Sequence, residues 1–599
     1  MNEQALREQL RRWREAGLLS SLDLHFGLFV AEGSGSPALG LLAAVTSRQR
    51  GLGHVCLDPA LPPGELPGLE LEALWPAALE AGPPWVCTGG TDPPGPLVHD
   101  HGRLYLGRMH AAECALAERL GRWSTAPAGI PPERGLVDRL FPGRHPGAAG
   151  QRLAAVLAAI RPFTVITGGP GTGKTTTVVR VLALRLAARP ELAIRLLAPT
   201  GKAAARLSES LRTSKAALGV DEALAGRIPD RVTTVHRFLG LGYGRPRFHR
   251  HHPAPVDLVV LDEASMIDLP TMHRLMEALP AHAALILLGD PDQLASVEAG
   301  SVLADLVAPA RPEAFTAPTR TALERAGVPL PPPVVDAGPL DDTLARLAFS
   351  HRFSADRGIG LLARSVRDGT ADWAALQRIA AEHEEIECVS WAGTQVPRTA
   401  LEDLLAALDP GRHETVEAAL DALGAARVLC ALRGGAAGVD AFNAQIARRL
   451  GRDTRGTLHG LPVLVTRNAH ALEVYNGDMG VLWEEPDTQG RRRLRACFPM
   501  PPAGVRRIPL AELPEHETAF ALTVHKSQGS EYDRILLVLP PEPHPLVTRE
   551  LIYTALTRAR RFVRILATPA CWEAGVRQRT RRASGLAVRL QGAAVSGGA

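Results

Sequence analysis

The stretch Phe163–Leu186, FTVITGGPGTGKTTTVVRVLALRL, decides the fold. It opens on a short apolar run that predicts a buried strand and closes on a segment that predicts a helix. Between them the pattern GxxxxGK[ST] runs through Gly168, Gly169, Pro170, Gly171, Thr172, Gly173, Lys174 and Thr175, with Thr176 directly after. Strand, loop and helix in that order are the context in which this pattern cradles phosphates. Glycines let backbone N–H groups wrap an anion with no Cβ in the way, and the start of the helix adds favourable partial charge. Lys174 puts a compact ammonium on a flexible stem inside the loop, where a planar guanidinium is too wide. The Thr175 hydroxyl is then expected on a Mg2+ ion beside a bound nucleoside triphosphate.

Lys174 belongs to a small set. Of 67 basic residues only Lys174, Lys202, Lys215 and Lys526 are lysine, a bias of coding composition that makes each retained lysine worth explaining. At 599 residues the chain exceeds a single core, and 46% hydrophobic with 22% charged residues predicts a globular protein of several domains. A net charge of +4 confines any nucleic-acid surface to a local patch. The seven cysteines are scattered with no CxxC pair, which argues against a zinc or iron–sulfur site and suits a reduced compartment. The charged N-terminus is no secretory signal and no apolar run reaches about 18 residues, so no membrane span is indicated and a soluble, cytoplasmic protein is expected.

Residues 1–120 read as a mixed, mostly helical module, and the Pro/Gly-rich passage 121–150 reads as a linker. From Gln151, the apolar runs FTVIT, LAIRLLA, VDLVVL and AALILL fit buried parallel strands of an α/β domain over 151–340. A second α/β domain over 341–599 is marked by RVLCAL, DRILLVLP and RFVRILA. Within it, about 452–516 has the texture of a small β-barrel-like insert, with a turn at Asn476-Gly477. The tail from about 590 to 599 reads as disordered. The Pro-rich stretch 317–340 and Lys215 have no legible role.

VDLVVLDEASMIDLP ends a strand on Asp262-Glu263, two acids at the edge of a sheet where ligands of such folds bind. Asp262 suits a Mg2+ ion, and Glu263 suits orienting and deprotonating an attacking water. Past the next strand, Gln293 is placed to sense a γ-phosphate, and Asp290 to assist the metal or the loop. Thr200 and Lys202 follow the LLA strand, and His236 a further turn. Arg352 and Arg558 are arginines of the second α/β half that can reach a phosphate only when two domains approach.

Taken in order, GGPGTGKTT, APTGKAAARL, TTVHRFLG, LDEASMIDL, LLGDPDQLASVEAGSVL, SHRF, TVHKSQGSEYD and YTALTRAR resemble superfamily 1 DNA helicases across 151–565. With LDLHFGLFVAE, GLGHVCL and LYLGRMHAAE near the N-terminus, the likeness extends to the RecD family of alpha subunits of exodeoxyribonuclease V. That resemblance implies two RecA-like motor domains with an SH3-like insert, and a partner-docking domain over 1–120. It implies ATP-driven 5′→3′ movement on single-stranded DNA from duplex ends, with Mg2+, beside RecB-like and RecC-like subunits in break repair and recombination. Lys174, Glu263, Gln293, Arg352 and Arg558 are then catalytic. Gln151 matches the glutamine that reads adenine, or is a polar helix-start residue. Glu531 matches a ribose contact, with Gly529 on the nucleotide side. Thr200, Lys202, His236, His525, Lys526, Ser527 and Gln528 match positions lining the DNA channel. Phe248–Pro253, in an insert near 238–256, is a strand-separating hairpin or a solvated basic loop.

No lysine follows an acid cluster of the kind a nuclease needs, so this chain is not expected to cut DNA. Two other readings compete: a stand-alone helicase of the same branch, and a P-loop ATPase acting as an assembly switch or passive DNA-binding subunit. An aromatic content of 4% favours phosphate and sugar contacts over base stacking.

Overall fold

Every residue of the strand Phe163–Gly168 is buried, and it lies inside a parallel sheet. The order is Leu344–Leu347, Phe163–Gly168, Ala284–Gly289, Leu258–Leu261, Ile194–Ala198, Val232–Thr234. Successive side chains of a strand point to opposite faces, so both faces of this sheet must be covered. Leu258 and Val260 enter one core with Ile166 and Val181, while Val259 and Leu261 enter another with Met272 and Leu275. That double burial is why these strands read as unbroken apolar runs. The computed structural model describes residues 2–596 except 62–63, 65, 81, 83, 90–94, 144–145, 242–245, 353–357, 394–397, 453–455, 488 and 501–503.

A second parallel sheet has the order Ile386–Ser390, Ala559–Ala567, Tyr532–Val538, Ala426–Cys430, Ala521–Thr523. The α/β architecture with parallel sheets is therefore present. Between Cys430 and Ala521 the chain leaves this sheet and builds an antiparallel one. Its order is Val505–Pro509, Arg492–Pro499, Met479–Pro486, Pro462–Val465, His516–Thr518. Gly477 takes φ +94° in the turn before Met479, which explains the Asn-Gly pair there.

Near the N-terminus the helices Ser21–Ser34 and Pro37–Gly51 pack through facing glycines. A Cβ on Gly27 would meet the Gly40 carbonyl at 2.8 Å, so neither position admits a side chain. A small mixed sheet, in the order Cys56–Leu57, Arg103–Leu106, Leu97–Asp100, Val86–Thr88, leads into the helix Gly107–Thr125.

Two expectations change, and the Pro-rich stretch with no legible role acquires a structure. The passage 121–150 is not an extended linker: Arg134–Leu140 is a helix, and a further helix begins at Pro146. Leu136, Val137, Leu140 and Phe141 are buried in the core that holds Ile166, and Pro146 opens a helix, where its lost N–H is not needed. The Pro-rich stretch contains the helix Ala317–Arg325 and buries Leu323, Ala326 and Val328 in the same core. The C-terminal tail is helical over Leu586–Ser596.

That last helix belongs spatially to the N-terminal helices. Leu586 and Leu590 are buried with Met109 and Leu116, and Val55 N–H donates to the Ala583 carbonyl at 2.8 Å. The Glu113 carboxylate, 0% exposed, accepts from Arg589 Nε (2.9 Å), Gly585 N (3.0 Å), Ser584 Oγ (3.1 Å) and the Tyr105 hydroxyl (3.2 Å). A buried carboxylate is stable only with such partners. Among the described residues no helix is long and apolar enough to cross a membrane.

Candidate active site

The phosphate loop closes the buried strand at Gly168 and opens the helix Lys174–Ala188. Gly171 and Gly173 take φ of +76° and +82°, the region glycine alone enters without strain. Lys174 Nζ lies within the loop and donates to the carbonyls of Gly168 (2.6 Å) and Gly169 (3.1 Å). The segment after Leu344–Leu347 lies against this loop. His351 N–H donates to the Gly171 carbonyl (2.8 Å) and Ser350 Oγ to that of Pro170 (3.0 Å). A Cβ on Gly171 would come within 2.5 Å of Arg352 Cβ, so the glycine also makes room for that arginine. Gln151 is buried beside the loop, its Nε2 on the Thr172 carbonyl (3.2 Å) and 3.3 Å from His351 Nε2, its Oε1 accepting from Arg180 (2.8 Å).

Asp262 and Glu263 stand at the end of Leu258–Leu261, and Glu263 holds φ +49°. A left-handed glutamate costs about 1 kcal/mol and marks a constrained position. Its amide donates to Asp262 Oδ1 (2.9 Å). Burial and the Glu263 charge push the Asp262 carboxyl up to about 6, against the pull of Lys174 and Arg206. Asp290, at the end of the next strand, is also pushed up by burial. It accepts from Gln293 Nε2 (3.1 Å) and the Asp292 amide (3.1 Å).

Residues of the second sheet's side meet this group across the cleft. The Tyr553 hydroxyl donates to Asp290 Oδ2 (3.0 Å), and the Leu294 amide donates to Thr554 Oγ1 (2.9 Å). Arg558, 2% exposed, reaches Gln293 Oε1 (3.0 Å) while also donating to the carbonyls of Thr554 (3.1 Å) and Ser530 (3.3 Å). Gln528 Nε2 donates to the Leu294 carbonyl (2.9 Å). The Gln293 loop thereby bonds to residues of both halves.

The N-terminal domain family of RecBCD enzyme subunit RecD matches residues 15–105. An AAA domain family matches 151–299, and a UvrD-like helicase C-terminal domain matches 518–566. RecBCD enzyme subunit RecD of Mycobacterium tuberculosis is 39% identical over 97% of this chain and 96% of its own length. This chain belongs to the RecD family. The RecD subunit of Mycolicibacterium smegmatis is likewise 39% identical over 97% of the chain and 99% of its own length. The ATP-dependent RecD2 DNA helicase of Deinococcus radiodurans is 30% identical over 82% of the chain but 59% of its own length.

Glu531 of this RecD-family chain carries three arginines. Arg352 Nη1 lies 2.8 Å from its carboxylate, Arg560 Nε lies 3.3 Å away, and Arg206 completes the set. Burial and the crowd of Arg206, Arg560 and Arg558 pull Arg352 down to about 10. Arg206 carries no motif role of its own in the sequence, although it stands four residues past Lys202 on the helix Gly201–Ala216. One helical turn from a motif lysine was the available signal.

The residues matched to a DNA channel do not share one surface. His236 is exposed, on the short helix Val235–Leu239. The Thr200 hydroxyl caps Gly201–Ala216 by accepting from the Ala203 amide (3.2 Å). Lys202 turns inward, its Nζ 3.8 Å from Met479 Sδ, and burial pulls its pKa down. Lys526 pairs with Glu517 (2.7 Å) and His525 is half-buried, its pKa pulled down by burial and by Arg582. Ser527 corrects an expectation: it is fully buried, its hydroxyl on the Val524 carbonyl (2.7 Å), so it cannot touch a strand in this conformation. Gln528 is committed to Leu294, and Gly529 lies beside Ala203. Within Phe248–Pro253, His249 and His252 form an isolated antiparallel pair around Arg250-His251, and Phe248 packs on Phe238.

Proposed function

We propose that this chain is an ATP-driven DNA helicase moving 5′→3′, the motor subunit of a RecBCD-type complex with RecB-like and RecC-like partners. The observation that carries it is the bond from Arg558 to Gln293 across the cleft, since a motor must make hydrolysis depend on domain closure. In this reading Lys174 and the loop Gly168–Thr176 bind the triphosphate, and Glu263 activates water. Gln293 senses the γ-phosphate, and Arg352 and Arg558 stabilise its charge in the transition state. Gln151 faces adenine, and Gly529 and Glu531 stand on the ribose side. A hydroxyl and a carboxylate form an oxygen donor set suited to a hard cation, so Thr175 and Asp262 would hold Mg2+. The ion supplies charge neutralisation on the phosphates.

DNA runs beside Thr200, Lys202, His236, His525, Lys526 and Gln528, with Lys202 released from Met479 when the cleft opens. Residues 151–340 and 341–599 act as two RecA-like motor domains with an SH3-like insert over about 452–516, and residues 1–120 dock the partners. The chain works in the cytoplasm and is not the nuclease. The stand-alone alternative is weakened by the 59% coverage of RecD2, which leaves much of that helicase without a counterpart. The deciding experiment measures unwinding of duplexes with a 5′ or a 3′ tail, with and without partner subunits. Preference for the 5′ tail and ATPase strongly stimulated by single-stranded DNA are expected; hydrolysis indifferent to DNA refutes the proposal.

A further inference from the structure

Arg582 lies outside every motif, on the segment that returns from the helix Pro569–Arg577 to the N-terminal helices. Its guanidinium is inserted into the loop that follows Gln293. Nη1 donates to the carbonyls of Glu298 (2.6 Å) and Gly300 (2.9 Å) and to Ser296 Oγ (3.2 Å), and Nη2 donates to the Ser296 carbonyl. Ser296 Oγ in turn lies 2.8 Å from the Gly300 carbonyl. A loop curled so that three carbonyls converge on one point is held together by the cation at that point, because the carbonyl dipoles otherwise repel. Burial pulls the Arg582 pKa down, as expected of a charge enclosed mostly by backbone dipoles.

Both ends of this loop are committed elsewhere. At its start Gln293 bridges Asp290 and Arg558, and Leu294 bonds Thr554 and Gln528. At its end the Gly300 amide donates to the Gly53 carbonyl (2.9 Å), while the neighbour of Arg582, Ala583, donates to His54 Nδ1 (2.9 Å).

We propose that Arg582 is a positioning residue of the motor: it locks the Ser296–Gly300 loop in the shape that keeps Gln293 on Arg558, and so ties hydrolysis to the N-terminal helices. The inference rests on the helicase reading for its kinetic consequence but not for the lock itself. The test uses the full chain with Arg582→Ala and Arg582→Lys. Hydrogen exchange of the 294–301 segment should rise at least tenfold in R582A while the strand Ala284–Gly289 stays protected. DNA-stimulated kcat should fall about fivefold with KM for ATP within twofold of wild type, and R582K, which retains a cation with several N–H donors, should recover at least half of both effects. Unchanged exchange in folded R582A, or unchanged kcat per active site, overturns the proposal. If R582A does not fold, Ser296→Ala loosens the same loop without touching the N-terminal helices, and it must show the same exchange change. If the wild-type chain shows no DNA-stimulated hydrolysis, the helicase reading fails, yet the exchange result still decides whether the lock exists.

Discussion

Replacing Tyr553 by Phe removes one oxygen atom and one bond across the cleft. The hydroxyl donates to Asp290 Oδ2 at 3.0 Å, and both side chains are buried, with Tyr553 6% and Asp290 2% exposed. A hydrogen bond to a buried charged group is worth about 1.5–3 kcal/mol. Asp290 keeps Gln293 Nε2 (3.1 Å) and the Asp292 amide (3.1 Å), so the lower half of that range applies. A loss of about 2 kcal/mol in the closed arrangement corresponds to roughly 30-fold in rate where closure precedes hydrolysis. The variant has a second signature. Burial already raises the Asp290 carboxyl, and the Tyr553 bond is one of the contacts holding it down. Without that bond its pKa rises further, so the acid limb of the pH–rate profile should move to higher pH. Steady-state ATPase with saturating single-stranded DNA, taken from pH 5.5 to 9, reads both effects. A kcat within twofold of wild type together with an unmoved acid limb would refute the claim that this bond couples the two sheets.

Arg206→Ala should lower DNA-stimulated kcat about fivefold, the ~1 kcal/mol expected of a partly exposed ion pair, while Glu531 keeps Arg352 and Arg560; a rate equal to wild type would mean the pair is idle. Lys526→Ala frees Glu517, which retains Arg433 at 3.3 Å, and should weaken stimulation by DNA more than binding of a fluorescent ATP analogue. Equal losses in both would sink that expectation. Asp305 is pushed up to about 7 by burial, with Glu113 adding to the shift. A carboxyl whose folded pKa exceeds its unfolded value stabilises the fold while protonated, and this contribution is lost as pH rises from about 4 to about 7. Asp305→Asn should therefore raise the melting temperature at pH 8, by roughly 2 kcal/mol of stability, and much less at pH 5. Calorimetry at the two pH values checks the difference, and an equal gain at both would contradict the titration.

The strands were legible because double burial leaves an unmistakable mark: LVVL and ALILL have no polar side to confuse the period. The phosphate loop is legible because its chemistry restricts residue type at Gly168, Gly173, Lys174 and Thr175. What escaped was of another kind. Residues 121–150 read as a linker because prolines that open helices look, in composition, like prolines that break them. The motif of Ser527 predicts a surface position, whereas its burial is set by how Val524–Ser527 folds onto the sheet edge. Arg206 and Arg582 act through contacts 325 and 286 residues away in sequence; helical spacing from Lys202 is the one local sign of Arg206, and local pattern carries no trace of Arg582 in a chain rich in arginine. Lys202 shows the limit from the other side: its motif pointed outward to a strand, while here its ammonium faces Met479.

The buried carboxylate of Glu113 also sets a schedule for synthesis. Tyr105 is its neighbour in sequence, but the Arg589 partner lies 476 residues further on. At about 5–20 residues per second, a ribosome takes roughly 25–95 s to span that gap. Throughout that interval the first-made helices hold an unneutralised charge and an uncovered apolar groove where Leu586 and Leu590 belong. Helices made long before the 583–590 segment are thus finished only when it arrives, and a nascent chain released before then would expose them unsealed.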